Sequence, residues 1–248
     1  LQAAEVRHRL ALWQRHRLQP LGEYGDFDIL GHDLRSPLGT IIASLGLLRE
    51  ELAAYPDAPI SLISDLARAA HRQNALIENM VDYMRLSSGQ YAYERAPVYL
   101  DALLDEFLSQ SEESVQRKGV AFVVDAPPIT RPVVGQADLL RRATLAVLDN
   151  SLKFCTRQSQ MQVVLRATNN AARLAIRDTG RPILADYAHY LFQPLGQFSA
   201  RAAGSRSSVA LNLPFAASVM ALIGGDLSAE MQDEWAVFTF EMPWHAAG

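Results

Sequence analysis

Residues 29 to 41, ILGHDLRSPLGTI, set His32, Asp33, Arg35 and Ser36 inside a stretch that otherwise reads as helix and place Pro37 directly after them. A neutral imidazole is a nucleophile near its ordinary pKa of about 6.5, and an adjacent carboxylate can orient it and take its proton. Downstream, the apolar positions run Leu34, Leu38, Ile41, Leu45, Leu48 and Leu52, in alternating steps of four and three. At ~100° per residue His32 falls roughly 160° from the centre of that seam, so its ring is expected on the solvent side. Ser36 lies one turn further along the same outer face. A proline in a helix interior costs roughly 3 kcal/mol and leaves the carbonyl four residues back, that of Asp33, without its helical donor. Two readings stand side by side: a solvated polar face kinked by proline, or an exposed nucleophile beside its base.

A second set of candidates lies far downstream. In ADLLRRATLAVLDNSLKF, Leu140, Ala143, Val147, Ser151 and Phe154 make a buried face, and Ala146, Asn150 and Lys153 line its shoulder. An amide oxygen there can coordinate a magnesium ion that keeps most of its waters, and a lysine one turn on can reach phosphate. Both are equally ordinary on a helix flank. In ARLAIRDTG, Leu174, Ile176 and Asp178 share one face of a strand, so the carboxylate points inward. There Asp178 is either a turn former before Gly180 or an acceptor for an exocyclic amino group such as that of adenine.

The elements that must hold these residues fall into two regions. After YPDAP, Leu62, Leu66, Ala69, Gln73, Leu76, Met80 and Tyr83 repeat the spacing of the first helix, widened by Ile63, Ala70, Ile77 and Met84. Two such helices form an antiparallel hairpin whose stripe is too broad for one partner, so a dimeric four-helix bundle completes it. A lead-in helix is expected to end at Pro20. Beyond SSGQYAYERAP the pattern turns mixed. KGVAFVVDAPP, MQVVLRAT, ARLAIRDTG and EWAVFTFEMP read as strands with a hairpin at Asn169 and Asn170, while DALLDEFLSQSEESVQRKG, ADLLRRATLAVLDNSLKF and LPFAASVMALIGG read as helices. The expected class is α+β: residues 1–22 a lead-in, 23–90 a dimerisation hairpin, and 96–248 an α/β sandwich.

Composition sets bounds on partners. A net charge of -4 offers no cationic excess for a phosphate backbone, which argues against nucleic acid. The lone Cys155 cannot close an internal disulfide, and a reducing, cytoplasmic setting follows. FAASVMALIGG is too short to span a bilayer, so no membrane contact is expected here. The chain opens at Leu1 without Met, which reads as a fragment of something longer with any membrane anchor upstream.

HDLRSPL resembles the H-box of two-component sensor histidine kinases, LAVLDNSLKF followed by DTG resembles the N-box and first glycine box of their ATP-binding catalytic domain, and LFQPLGQF resembles its phenylalanine box. The likeness runs from residue 29 to residue 243. It implies that His32 is the phosphoacceptor and Asp33 its base, that Asn150 holds Mg2+, Lys153 phosphate, and Asp178 with Gly180 the adenine of ATP. Ser36 stands where phosphatase-competent members carry Thr or Asn. It further implies a homodimer that autophosphorylates on His32 and passes the phosphoryl group to a response regulator receiver domain.

The chain departs from the family where phosphates are gripped. The Gly-Leu-Gly-Leu loop falls on Ala210, Leu211, Asn212 and Leu213, followed by Pro214; Pro182 replaces the second glycine of the first glycine box, and Ala146 the first Asn of the N-box. Side chains at the loop glycines obstruct the approach of backbone amides to phosphate, and Pro214 removes a donor. Weak kinase activity is one reading. The other is a pseudokinase or phosphotransfer scaffold that binds a response regulator or kinase without using ATP. In either case phosphate affinity falls to side chains, with Arg201 and Arg206 nearest in sequence. ADP and ATP are therefore expected to bind with similar dissociation constants, on the order of 10⁻⁴ M or weaker by calorimetry. Combining Ala210→Gly with Asn212→Gly should tighten ATP selectively; low-micromolar ATP affinity in the unaltered chain would contradict the expectation.

Overall fold

The computed structural model describes residues 25–55, 58–89, 91–194 and 211–245, and the chain divides into two compact units, Leu1–Tyr91 and Ala92–Gly248. The lead-in helix expected before Pro20, together with Ala210, Arg201 and Arg206, lies outside the described residues.

The first unit is a pair of 28-residue helices, α1 (Gly25–Leu52) and α2 (Ile60–Ser87), packed against each other. Helix α1 continues through Pro37, and the Thr40 hydroxyl donates to the Ser36 carbonyl at 3.3 Å. Of the broad stripe read in sequence, the hairpin buries one side. On α2, Ile63, Ala70 and Ile77, spaced by seven, are buried, whereas Leu62, Leu66 and Leu76 are 56, 49 and 37% exposed. On α1 the same holds for Leu34, Ile41 and Leu48, at 42, 50 and 42% exposed. Each helix carries two adjacent apolar ridges, and one partner helix covers one of them. At the end of α2, burial pushes the Tyr83 phenol up to about 12.

The second unit is a helical layer on a five-stranded sheet. In chain order it contains β1 (Ala96–Val98), α3 (Leu100–Lys118), β2 (Ala121–Asp125), β3 (Val133–Gly135), α4 (Ala137–Phe154), β4 (Gln160–Ala167), β5 (Ala171–Asp178), a 3-10 helix (Ala185–Phe192), α5 (Asn212–Leu222), β6 (Asp226–Gln232) and β7 (Trp235–Pro243). The sheet order is β2-β4-β5-β7-β6, with only β2 and β4 parallel; β1 and β3 form a separate antiparallel pair. The alternation read in sequence is visible strand by strand. Met161, Val163, Leu165, Leu174, Ile176, Phe238 and Phe240 are buried, while Gln162, Arg173 and Glu241 lie on the other face and interact across strands, Arg173 with Glu241 at 2.9 Å.

Turn chemistry closes the hairpins. Asn169 and Asn170 sit between β4 and β5, where the Thr168 amide donates to the Ala171 carbonyl at 2.8 Å and the Thr168 hydroxyl to the same carbonyl at 2.7 Å. Helix α3 ends at Gly119, whose φ of 66° is the left-handed cap glycine tolerates. Beyond α5, Gly225 brings the backbone against β7: a Cβ there would lie 2.4 Å from the Glu241 carbonyl oxygen. Gly225→Ala is therefore expected to cost about 2 kcal/mol or more, read as a lowered urea midpoint at unchanged slope. A substitution that left the midpoint where it was would show that the β6–β7 edge yields freely.

Candidate functional site

His32 is exposed on α1, as is Ser36 one turn later, and Arg35 between them is half-buried. The side chain of Asp33 lies outside the described residues, so its relation to the imidazole is carried by sequence alone. What the fold supplies here is a helix that runs uninterrupted through Pro37 and leaves the ring exposed.

In the second unit the strand register gathers the remaining candidates. Asp178 ends β5, paired with Met161 at the start of β4 and with Ala236 at the start of β7. Val133 bridges Trp244, beside the Ala171–Pro243 pair at the opposite end of the sheet, and α4 begins at Ala137 just beyond. Eighteen helical residues span about 27 Å, close to the length of an eight-residue strand at about 3.3 Å per residue. Phe154 closes α4 six positions before Gln160, where β4 starts. The Gln160 amide donates to the Thr179 hydroxyl at 2.9 Å, just past Asp178. Helix α4, which packs on β5, therefore delivers Asn150, Ser151 and Lys153 to the Asp178 end of the sheet.

Each of these groups has a distinct environment. Asp178 is fully buried, on the helix-facing side of β5, and its Oδ1 accepts the Gly180 amide at 2.9 Å, which fixes the carboxylate and the turn that follows it. Asn150 is 4% exposed, and neither its amide oxygen nor its amide nitrogen has a hydrogen-bond partner. Ser151, placed in sequence on the buried face without a chemical role, is 0% exposed and its hydroxyl is likewise unpartnered. Lys153 is exposed, with its ammonium 5.5 Å from the Phe154 ring centroid. Buried polar groups are nearly always satisfied, and each one left unmade costs about 1–3 kcal/mol. Three such atoms on consecutive residues mark a place built for something that completes them.

The other side of the site explains what it lacks. Helix α5 opens at Asn212 with Leu213, Pro214 and Phe215 buried, and the Arg142 guanidinium of α4 stacks 5.0 Å over the Phe215 ring. Helix α5 packs against α4 and β6, and Pro214 removes one backbone donor from its first turn. At the first glycine box, Pro182 precedes Ile183, which is 2% exposed and donates its amide to the Met231 sulfur at 3.3 Å. Among the described residues no group of three His, Cys, Asp or Glu gathers as a metal site, and no helix is long and apolar enough to cross a membrane. The Asn150 amide oxygen, buried and unpaired, is nonetheless a fitting single ligand for a hydrated Mg2+.

Comparison with known proteins matches residues 27–89 to the His Kinase A phospho-acceptor domain and residues 135–246 to the histidine kinase-, DNA gyrase B- and HSP90-like ATPase family. The adaptive-response sensory kinase SasA of Microcystis aeruginosa is 30% identical over 173 residues, 66% of this chain and 44% of that protein. The sensor protein VanSC of Enterococcus gallinarum is 23% identical across 86% of this chain and 59% of its own. The chain thus spans about half the length of the curated relatives it matches. Among solved structures, full-length ShkA in complex with AMPPNP superposes with a TM-score of 0.66, 22% identity, and coverage of 91% of this chain and 47% of ShkA.

Because the Asn150 amide makes no hydrogen bond within the protein, Asn150→Ala should leave the ligand-free fold intact and raise its stability by about 1 kcal/mol. A fall in the ligand-free melting temperature of the variant would show that the amide has a structural partner after all.

Proposed function

The chain belongs to the sensor histidine kinases of two-component systems, and from that premise we propose that it phosphorylates His32 from ATP and hands the phosphoryl group to an aspartate of a response regulator receiver domain. The observation that carries the reading is the buried, unpartnered Asn150 amide at the sheet end where Asp178 is also buried. In this scheme Asp178 accepts the exocyclic amine of adenine while the Gly180 turn backs it, Lys153 reaches phosphate, and Asn150 holds Mg2+, which when bound supplies neutralising charge at the phosphates. The His32 ring nitrogen bonds to the γ-phosphorus as the bond to the β–γ bridging oxygen breaks, ADP departs, and the proton on the other ring nitrogen passes to Asp33. Ser36 takes the place from which a Thr or Asn would orient a hydrolytic water, so phosphatase activity is expected to be low.

Dimerisation follows from the open stripe of the hairpin. Leu34, Ile41 and Leu48 on α1 and Leu62, Leu66 and Leu76 on α2 supply the second apolar ridge that a copy of the same hairpin covers, giving a four-helix bundle in the cytoplasm. Ile41 and Leu48 are better places to test this than Leu45, which is half-buried within its own chain.

A second reading has a specific observation behind it. With the first turn of α5 filled by buried Leu213 and Pro214, backbone grip on phosphates is poor, and a phosphotransfer scaffold that accepts phosphate at His32 from a regulator needs no such grip. Radiolabelling with γ-phosphate-labelled ATP separates the two: the kinase reading expects acid-labile label that His32→Ala abolishes. Label only from a phosphorylated regulator would favour the scaffold, and no label from either donor would refute both. Ile41→Glu should convert the dimer to monomer by light scattering, while His32→Ala leaves it dimeric; a wild-type monomer at micromolar concentration would overturn the bundle.

A further inference from the structure

The Ser151 hydroxyl is an orphaned group of α4 on a residue to which the proposed chemistry gives no role. Ser151 is 0% exposed and its Oγ has no partner, although a helical serine can ordinarily bond the carbonyl four residues back. At ~100° per residue it stands about a quarter turn from Asn150, on the side of the helix shared with Leu140, Thr144 and Val147, which are all buried. Thr144 on that side does satisfy itself, donating to the Leu140 carbonyl at 2.8 Å. The unsatisfied state of Ser151 is therefore particular to its position near the end of α4. That end lies over the Asp178 end of the sheet, because α4 runs the length of the sheet from the Val133–Trp244 bridge to the start of β4.

We propose that the Ser151 hydroxyl reads the nucleotide base, donating to the adenine ring nitrogen that adjoins the exocyclic amine accepted by Asp178. The inference rests on the nucleotide reading given above and extends it to a residue that neither the sequence motifs nor the phosphate chemistry assigned. A carboxylate acceptor and a hydroxyl donor at the same end of the sheet match the donor–acceptor edge of adenine, whereas guanine presents a carbonyl and a ring N–H in the same places. Asn150, on the adjoining side of the helix, is left for the phosphate end of the ligand. In a chain whose phosphate loop lacks its glycines, base contacts carry most of the remaining affinity, so one added hydrogen bond to the base has a large share in binding.

The test titrates the full 248-residue chain with ADP and with 1-deaza-ADP, in which that ring nitrogen is a C–H, followed by ligand-observed NMR. Ser151→Ala should weaken ADP about five- to tenfold and leave 1-deaza-ADP, already weak for the unaltered protein, unchanged. The ligand-free melting temperature of the variant should stay level or rise by about 3 °C, since an uncompensated hydroxyl is removed. Unchanged ADP affinity in Ser151→Ala overturns the inference, as does an equal loss for both nucleotides, which is the signature of packing. Asp178→Asn separates the two levels of the argument. If it abolishes ADP binding while Ser151→Ala does not affect it, only the role of Ser151 falls; if the unaltered chain binds no ADP, the nucleotide reading falls with it.

Discussion

The antiparallel ladder β4-β5-β7 is the constraint on which the second unit depends. Its register turns Leu174, Ile176 and Asp178 to one side, so a carboxylate is carried into the apolar layer by the same alternation that buries its neighbours. A slip of one residue would turn Asp178 to the side of Arg177 and Gln162 and empty the core of Ile176. The fold thus holds the carboxylate in place through the hydrophobic effect, and the Gly180 amide compensates part of the cost of burying it.

Helix α4 is the second half of that arrangement. Its length matches the sheet, its start is tied to one end by the β3 pairing, and its last turn reaches the other. Unpaired polar atoms then occur where helix and strand both end, and the buried Asn150 and Ser151 are a local sacrifice of stability typical of sites that must stay receptive. The α5 side is the reverse case: Leu213, Pro214 and Phe215 gain packing where the related loop would expose backbone donors. The first turn of α5 is given to packing.

Much of this was legible in the residues. Strict alternation identified β4, β5 and β7, the paired asparagines their hairpin, and heptad spacing both long helices. The inward face of Asp178 followed from period two alone. Other elements left no comparable trace. Strands β1 and β3 are three residues each, too short for periodicity, and β6, Asp-Leu-Ser-Ala-Glu-Met-Gln, buries only Leu227 fully because it is an edge strand. The 3-10 helix has no period of 3.6 to detect. Sequence also left open which ridge the hairpin buries, since two adjacent apolar stripes are equivalent until a partner helix selects one. The unsatisfied state of Asn150 and Ser151 was beyond reach, because polar satisfaction is a property of neighbours brought together by the fold.

The open ridge of the hairpin divides the chain thermodynamically. The second unit carries its own core of Phe107, Phe215, Phe238 and Phe240, all buried. Among its described residues the first unit leaves seven large aliphatic side chains uncovered, so whatever covers them stabilises it by mass action. Its melting temperature then follows the concentration of that cover. Loss of that cover therefore acts on the histidine-bearing hairpin.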